Sequence, residues 1–439
     1  MTPNITVVGA GLAGSEAAWQ LAKRGLHVRL VEMKPVKMTP AHTSPLFSEL
    51  VCSNSLRGDD LTNAVGLLKE ELRRLGSLIM KSAELHRVPA GGALAVDRVA
   101  FAQTITDALR EDPYIEIVSE ELSDFPEGEC IIATGPLTSE ALIPAIAAKC
   151  PDQDFLHFYD AAAPLIAFDS IDMSKAWLGS RYGKGTADYV NCPMTEAEYK
   201  NFAKELAGAE QAAVHGFEDS DVFEGCMPVE VMARRGEDTL RYGPMKPVGL
   251  CDPNTGKAPY AVAQLRRDNA EGTVYNLVGF QTHLTFPEQR RVFGLIPALR
   301  NAEFLRYGKM HRNTFLHSPG LLDRYYSLKS EPRIVFAGQV TGVEGYVESC
   351  ASGMLAALEA ARRIQGKSPL DFPRSTAIGA LALYVANGSV SGSFQPMNVN
   401  YGILEGPEGD IRNKKLKYTA VAERSLAVID EMVAREDFP

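Results

Sequence analysis

The sequence predicts an α/β fold around a parallel sheet that the chain leaves and later re-enters, and three observations carry that expectation. An apolar strand, a glycine turn and a helix follow one another within the first 24 residues. A later apolar strand ends in Ala133-Thr134-Gly135. Toward the C-terminal end, Arg333 to Ala337 reads as another strand, closed by Gly338 and followed by Gly342, Gly345 and a helix rich in small residues. The long stretch between the last two pieces has a different, β-rich character.

Taken in order, Ile5 to Val8 is the first strand, Gly9-Ala10-Gly11-Leu12-Ala13-Gly14 has the spacing G-x-G-x-x-G, and Ser15 to Arg24 is a helix with Ala17, Ala18, Leu21 and Ala22 inward. Gly9 allows the tight turn, Gly11 lets a pyrophosphate approach the backbone, and Gly14 lets helix and strand pack closely. The helix N-terminus then faces the phosphates. A second strand, His27 to Val31, ends in Glu32, 18 residues past Gly14, where a carboxylate can accept ribose hydroxyls. The glycine spacing alone is also that of a plain turn. Strand, helix and terminal acid in the required order make it a dinucleotide site.

Asn63 to Lys81 carries Leu67, Leu68, Leu72, Leu75, Leu78 and Ile79 at helical spacing, with Lys69, Glu70, Arg73 and Arg74 on the other face. Asp97 is a good N-cap for a helix running to about Arg110, and Pro89-Ala90-Gly91-Gly92 is the turn between. Glu129 to Gly135 is a later strand of the first sheet. From about Tyr159 to Ser330, short stretches such as Ala163 to Phe168, Ala258 to Leu265 and Thr273 to Phe280 are broken by Pro and Gly, which reads as an inserted α+β domain. The helix Glu348 to Ile364 follows the returning strand, and a last amphipathic helix, Thr419 to Arg435, buries Val421, Leu426, Ile429 and Val433. The expected division is a discontinuous nucleotide domain, residues 1–158 and 331–439, around an insertion at 159–330.

Composition narrows the classes. Net charge is −10 over 439 residues, so contact with nucleic acid would depend on local basic patches. Those present are Arg290 with Arg291, Lys309 with His311 and Arg312, and Arg412 with Lys414, Lys415 and Lys417. Seven cysteines without a C-x-x-C pair or a His/Cys cluster argue against a disulfide framework or a metal site. With no run of eighteen apolar residues and an N-terminus that enters its first strand directly, no membrane span is expected and the cytoplasm is the expected compartment.

GAGLAG with Glu32, IIATG, and VFAGQVTGVEG before a helix occur in that order in FAD proteins of the glutathione-reductase type. The dinucleotide is therefore read as FAD on a Rossmann domain, and Thr134, Gly135, Gly338, Gly342 and Gly345 join Gly9 to Gly14 and Glu32 as cofactor candidates. A second complete G-x-G-x-x-G is missing, so no dedicated NAD(P)H domain is expected. Nor is there the C-x₄-C redox pair of flavin disulfide reductases: Cys52 lies alone, 20 residues after Glu32. Cys52 sits in the polar run Ser48 to Ser55, and Cys226 on a turn in Phe223 to Pro228. Both are candidate nucleophiles, although a small buried hydrophobe is the commonest fate of a cysteine. Cys130 and Cys350 read as packing.

The runs EMKPVKMTPAHTSPLFSELVCSNSLRGDDLTNAVGLLKEELRRLGSLI, VPAGGALAVDR, VNCPMTEAEY, FEGCMPVE, MKPVGLCDPNTGKAPYAVAQLRRDN, VGFQTHL, RYGKMHRNTFLHSP and FQPMNVNYGIL occur in order along nearly the whole chain. In these the sequence resembles the folate- and FAD-dependent tRNA (uracil-5-)-methyltransferases, relatives of the GidA/MnmG tRNA-modification flavoproteins. The resemblance implies transfer of a one-carbon unit from 5,10-methylenetetrahydrofolate to C5 of the T-loop uridine at tRNA position 54, with FAD as carrier and reductant and NAD(P)H as its source of electrons. It implies Cys226 as the nucleophile to uracil C6 and Cys52 as the second catalytic thiol, the base that removes the C5 proton. Tyr346, Phe394 and Tyr401 are candidate walls for the target base, and FQPMNVN a candidate pterin surface. No obligate protein partner is inferred. Two other readings stand beside this one. The first is wobble-uridine modification of the GidA type, which would be expected to bring a longer C-terminal helical extension. The second is a flavin-bearing RNA-binding or redox-sensing protein without turnover.

Overall fold

A computed structural model describes residues 3–150, 156–183, 186–212, 227–388, 394–407, 409 and 411–436. The first part of the chain forms β1 (Ile5–Val8), α1 (Leu12–Ala22), β2 (Val28–Glu32), β3 (Ser55–Gly58), α2 (Ala64–Arg74), α3 (Leu78–Leu85), β4 (Arg87–Val88), β5 (Ala93–Val96), α4 (Arg98–Glu111), β6 (Ile115–Ser119), β7 (Cys130–Ile132) and α5 (Ile143–Lys149). The middle part forms β8 (Leu156–Ala161), β9 (Leu165–Ala167), β10 (Trp177–Gly179), β11 (Tyr189–Met194), α6 (Glu196–Ala207), α7 (Val229–Arg235), α8 (Thr239–Tyr242), β12 (Ala261–Arg267), β13 (Val274–Leu277), α9 (Phe286–Phe293), β14 (Phe304–Arg306) and β15 (Met310–Phe315). Then come β16 (Ile334–Phe336), α10 (Tyr346–Ile364), α11 (Ala377–Asn387) and α12 (Lys414–Glu436).

The main sheet is parallel, in the order β16-β7-β1-β2-β6, so a strand from residue 334 onward completes a sheet begun at residue 5. Its strands β1, β7 and β16 are buried at every position, as in a sheet covered on both faces. Helix α1 is buried almost all round because α10 lies against it: a Cβ added to Gly353 would sit 2.1 Å from the Ala13 carbonyl. The second sheet, β10-β11-β12-β13-β9-β14, is antiparallel and buries Tyr199, Phe202, Phe280 and Phe293 in a separate core under α6 and α9. The two-stranded ribbon β8–β15 joins the two halves. Among the described residues no helix is long and apolar enough to cross a membrane.

The helix expected over Asn63 to Lys81 is two helices. Gly76 takes a left-handed turn (φ +76°), and the Ser77 hydroxyl caps α3 by accepting from the Met80 N–H. Both helices face one core, so the leucine spacing runs on across the break and hides it. Helix α12 starts at Lys414, ahead of the expected Thr419, and Lys414, Lys415 and Lys417 lie in its first turn. Cations are disfavoured at a helix N-terminus, which is why that stretch reads as a loop.

Glu71 ties α2 to two other helices. Its buried carboxylate accepts from the N–H groups of Ala377 (2.6 Å) and Ile378 (2.9 Å), at the start of α11, and from the Ser425 hydroxyl of α12. Burial pushes the Glu71 carboxyl up to about 7 from 4.5. The native state therefore binds this proton more tightly than the unfolded chain does. The stability it adds is full below about pH 4.5 and is lost as the pH rises through 7. Glu71→Gln carries no such proton. Unfolding stability of the wild-type protein relative to Glu71→Gln should fall by about 3 kcal/mol between pH 4.5 and 8 in urea titrations; a constant difference would contradict the assignment.

Candidate active site

A cavity of about 510 Å³ opens where the main sheet, the Cys52 segment and the second sheet meet. From the glycine turn it is lined by Gly9, Gly11, Leu12 and Ala13, and beyond it by Glu32, Cys52, Thr134, Gly135, Gly338 and Gly345. Ala10, Gly14 and Gly342 are not among its lining residues. Gly9 has φ +96°, and a Cβ there would lie 2.5 Å from the Ala133 carbonyl. A Cβ on Gly14 would lie 1.8 Å from the Gly9 carbonyl, whereas one on Gly11 would meet nothing within 4 Å. Gly14 thus closes the turn, and Gly11 keeps its cavity side open. The Glu32 carboxylate accepts from the Ala10 N–H (2.7 Å) and the Lys34 N–H (3.0 Å), so besides facing the cavity it pins the turn. Gly342 packs against the Phe394 ring instead.

Several buried polar atoms in the cavity wall have no protein partner: Ser48 Oγ, Asn276 Nδ2, and both Oδ1 and Nδ2 of Asn313. Ser48 and Asn313 are fully buried and Asn276 nearly so. Leaving such groups unmade costs about 1–3 kcal/mol each, so the wall is shaped for a polar ligand. The Ser48 N–H donates to the Ala10 carbonyl (2.9 Å), which sets its hydroxyl beside the glycine turn, where a phosphate would need a donor. Amides such as those of Asn276 and Asn313 match the –CO–NH– edge of a fused pyrimidine ring. The residues present therefore fit a dinucleotide carrying a flavin.

Cys52 is held by groups from three parts of the chain. The N–H groups of Cys52 (2.8 Å) and Ser53 (3.3 Å) donate to the phenol oxygen of Tyr346, the first residue of α10. Arg98 donates to the Leu50 carbonyl and pairs with Asp268 at 2.7 Å. From β12, Arg266 donates to Ser53 Oγ (2.7 Å) and Asn54 Oδ1 (3.2 Å). The Asn54 amide in turn donates to the carbonyls of Val96 and Arg267. Burial disfavours the Arg98 charge, but Asp268 outweighs it and holds the guanidinium firmly protonated. Burial, and after it the neighbouring Arg98, lowers Arg306. Cys52 acts electrostatically on both guanidinium groups in the direction that favours their charged forms. Burial, and then the charge of Cys52, raises the Tyr346 phenol.

Cys226 lies outside the described residues. The described chain resumes at Met227, and the Val229 N–H donates to the carbonyl of Gln281, which lines the cavity. Cys130 and Cys350 are fully buried in the main core, as packing residues should be. Of the three aromatic candidates only Tyr346 lines the cavity. Phe394 is buried between Phe315, His317 and Tyr384, and Tyr401 stacks on Tyr418 at 4.1 Å, because both are needed to seat the C-terminal segment on the core. From FQPMNVN it is Asn398 that reaches the cavity. The sequence reading missed Ser48, Arg98, Arg266, Asn276 and Asn313 as site residues. Arg266 and Asn276 face each other across β12 and β13, a pairing that local patterning does not reveal.

The family described as "Glucose inhibited division protein A" matches residues 4–368. The chain is 59% identical over 436 residues to the methylenetetrahydrofolate--tRNA-(uracil-5-)-methyltransferase TrmFO of Acetivibrio thermocellus, covering 99% of this chain and 100% of that protein. It is 56% identical over 434 residues to the enzyme of the same name from Halalkalibacterium halodurans, covering 99% of each. Among solved structures, Aquifex aeolicus GidA in its form II crystal superposes with a TM-score of 0.71 at 15% identity, over 98% of this chain and 73% of that one. That last likeness is one of fold.

Proposed function

This chain belongs to the methylenetetrahydrofolate--tRNA-(uracil-5-)-methyltransferase TrmFO family, within the wider glucose inhibited division protein A family, and from that premise we propose how its cavity carries out folate-dependent methylation of uracil C5 in tRNA. The target is the T-loop uridine at position 54, and the product is ribothymidine. The observation that carries the reading is the placement of Cys52 in the wall of the cavity that the dinucleotide turn also lines.

The carbon of 5,10-methylenetetrahydrofolate is two electrons more oxidised than a methyl group, and FAD, reduced by NAD(P)H, supplies that reduction when bound. Gly9 to Gly14 and Ser48 would hold its phosphates, Glu32 its ribose, and Gly338 and Gly345 with the start of α10 its ring side. Uracil C5 is a poor nucleophile until a thiolate adds to C6. Cys226 fills that role: its sulfur bonds to C6 and the electron pair moves to C5, which attacks the folate-derived methylene. Cys52 then takes the C5 proton, its backbone fixed by Tyr346, and the nitrogen that carried the methylene leaves with its bonding pair. The exocyclic methylene left on C5 would take the hydride equivalent that reduced FAD supplies and become the methyl group, and the electron pair that re-forms the C5–C6 double bond expels the Cys226 sulfur. The reaction belongs in the cytoplasm, with tRNA, folate and NAD(P)H as partners and no protein partner required.

A tRNA transcribed with 5-fluorouridine blocks the proton-removal step and should trap the sulfur–C6 bond at position 54. Cys226→Ala should abolish that adduct on denaturing gels while FAD stays bound. An adduct at wild-type level in the variant would overturn the nucleophile assignment.

A further inference from the structure

Three aromatic rings form a parallel stack on the surface of the inserted domain. Phe286, at the start of α9, lies on Tyr307 with ring centres 4.7 Å apart and planes at 15°, and Tyr307 lies on Phe304 at 5.4 Å and 9°. The outer ring, Phe286, is 44% exposed, so the stack presents aromatic surface to solvent in a fixed orientation. The stack is built rather than incidental. The buried Gln289 side chain donates to the carbonyls of Leu284 (2.8 Å) and Gly308 (2.9 Å) and accepts from the Gly308 N–H (2.8 Å), clamping α9 to the strap that carries Tyr307. A Cβ on Gly308 would meet Thr282 at 2.6 Å and the Ala162 carbonyl at 2.7 Å, so the strap is held flat against the domain.

Two cations flank the rings. Arg290 donates to the Tyr307 hydroxyl at 2.7 Å, and the Lys309 ammonium stands 5.8 Å from the centre of Phe286. Both are exposed, and among the described residues neither pairs with a carboxylate, whereas the adjacent Arg291 is held by Glu205 and Glu288. On a chain of net charge −10, these two side chains put uncompensated positive charge at the edge of an exposed ring stack. Flat rings for stacking with cations at their edge suit unstacked nucleobases and their phosphates. An apolar protein partner would cover the rings but leave the two cations unanswered. The strap also leads into the site: Arg306, next to Tyr307 in the chain, interacts electrostatically with Cys52.

We propose that the Phe304–Tyr307–Phe286 stack with Arg290 and Lys309 is a docking platform for unpaired nucleotides of the RNA substrate, with a base laid on the outer face of Phe286. This rests on the tRNA-methylation reading and adds where the RNA is gripped before its target base reaches the cavity. Binding of a fluorescent, unmodified tRNA transcript to the FAD-loaded full chain, followed by anisotropy at several salt concentrations, tests it. Phe286→Ala should weaken binding about 10-fold, a typical loss for one stacked base, and Phe286→Tyr should retain it. Arg290→Ala combined with Lys309→Ala should lower the slope of log affinity against log salt by about 1–2. Flavin content and the rate of flavin reduction by NADPH should be unchanged in all three variants. Affinity within twofold of wild type in Phe286→Ala, with an unchanged salt slope in the double variant, would overturn the platform even where wild-type protein methylates tRNA. Absence of methylation by the wild-type protein would instead sink the underlying functional reading.

Discussion

Cys52→Ala should yield a folded, yellow protein that forms at least about 10³-fold less methylated tRNA, since general acid–base catalysis contributes on the order of 10²–10⁴. The reason for separating fold from activity is local. What anchors this segment is its backbone and its neighbours: the Cys52 and Ser53 N–H groups on Tyr346, the Leu50 carbonyl under Arg98, and Ser53 and Asn54 on Arg266. These contacts are made by backbone groups and by other side chains, so they survive removal of the sulfur and hold the loop in place. The flavin spectrum of the variant and its melting temperature should match the wild type. Undiminished methylation would return Cys52 to the class of packing cysteines.

The second large effect is expected at Gly14. An alanine there must place its Cβ 1.8 Å from the Gly9 carbonyl and 3.2 Å from the Ala133 side chain, and the first of these is backbone that cannot rotate aside. Nor can α1 back away, because Gly353 of α10 leaves no room behind Ala13. The turn itself has to open, which moves the α1 N-terminus off the phosphate position and breaks the Glu32 contact to Ala10. Gly14→Ala should therefore purify with less than about a tenth of the wild-type flavin and lose about 3 kcal/mol of stability, at the upper end for overpacking. Full flavin occupancy in this variant would show that the turn is not the cofactor's phosphate site.

Much of this was legible in the residues because it is local. The first turn, Glu32, the Asp97 cap and the returning strand at Ile334–Phe336 each announce themselves by spacing within a few residues, and backbone sterics allow few alternatives. What patterning did not reveal is what depends on distant parts of the chain meeting. Arg98 is a buried arginine only because Asp268, 170 positions on, neutralises it. Asn276 and Asn313 look like ordinary strand residues until the second sheet and the β8–β15 ribbon turn them toward one cavity. The break at Gly76 was hidden for a related reason: the core that both α2 and α3 face imposes one continuous apolar pattern on two helices. Phe394 and Tyr401 carried the aromatic signal of a base-binding wall, yet their rings went to packing.

The central chemical step is the joining of a folate-borne carbon to uracil C5 in this flavin cavity. The most direct measurement incubates the purified FAD-loaded protein with unmodified tRNA transcript, NADPH and 5,10-methylenetetrahydrofolate labelled in its one-carbon unit, with S-adenosylmethionine left out, and then digests the RNA to nucleosides. Label in ribothymidine derived from position 54 is the predicted result. An RNA that stays unlabelled while the flavin is reduced and reoxidised would contradict it.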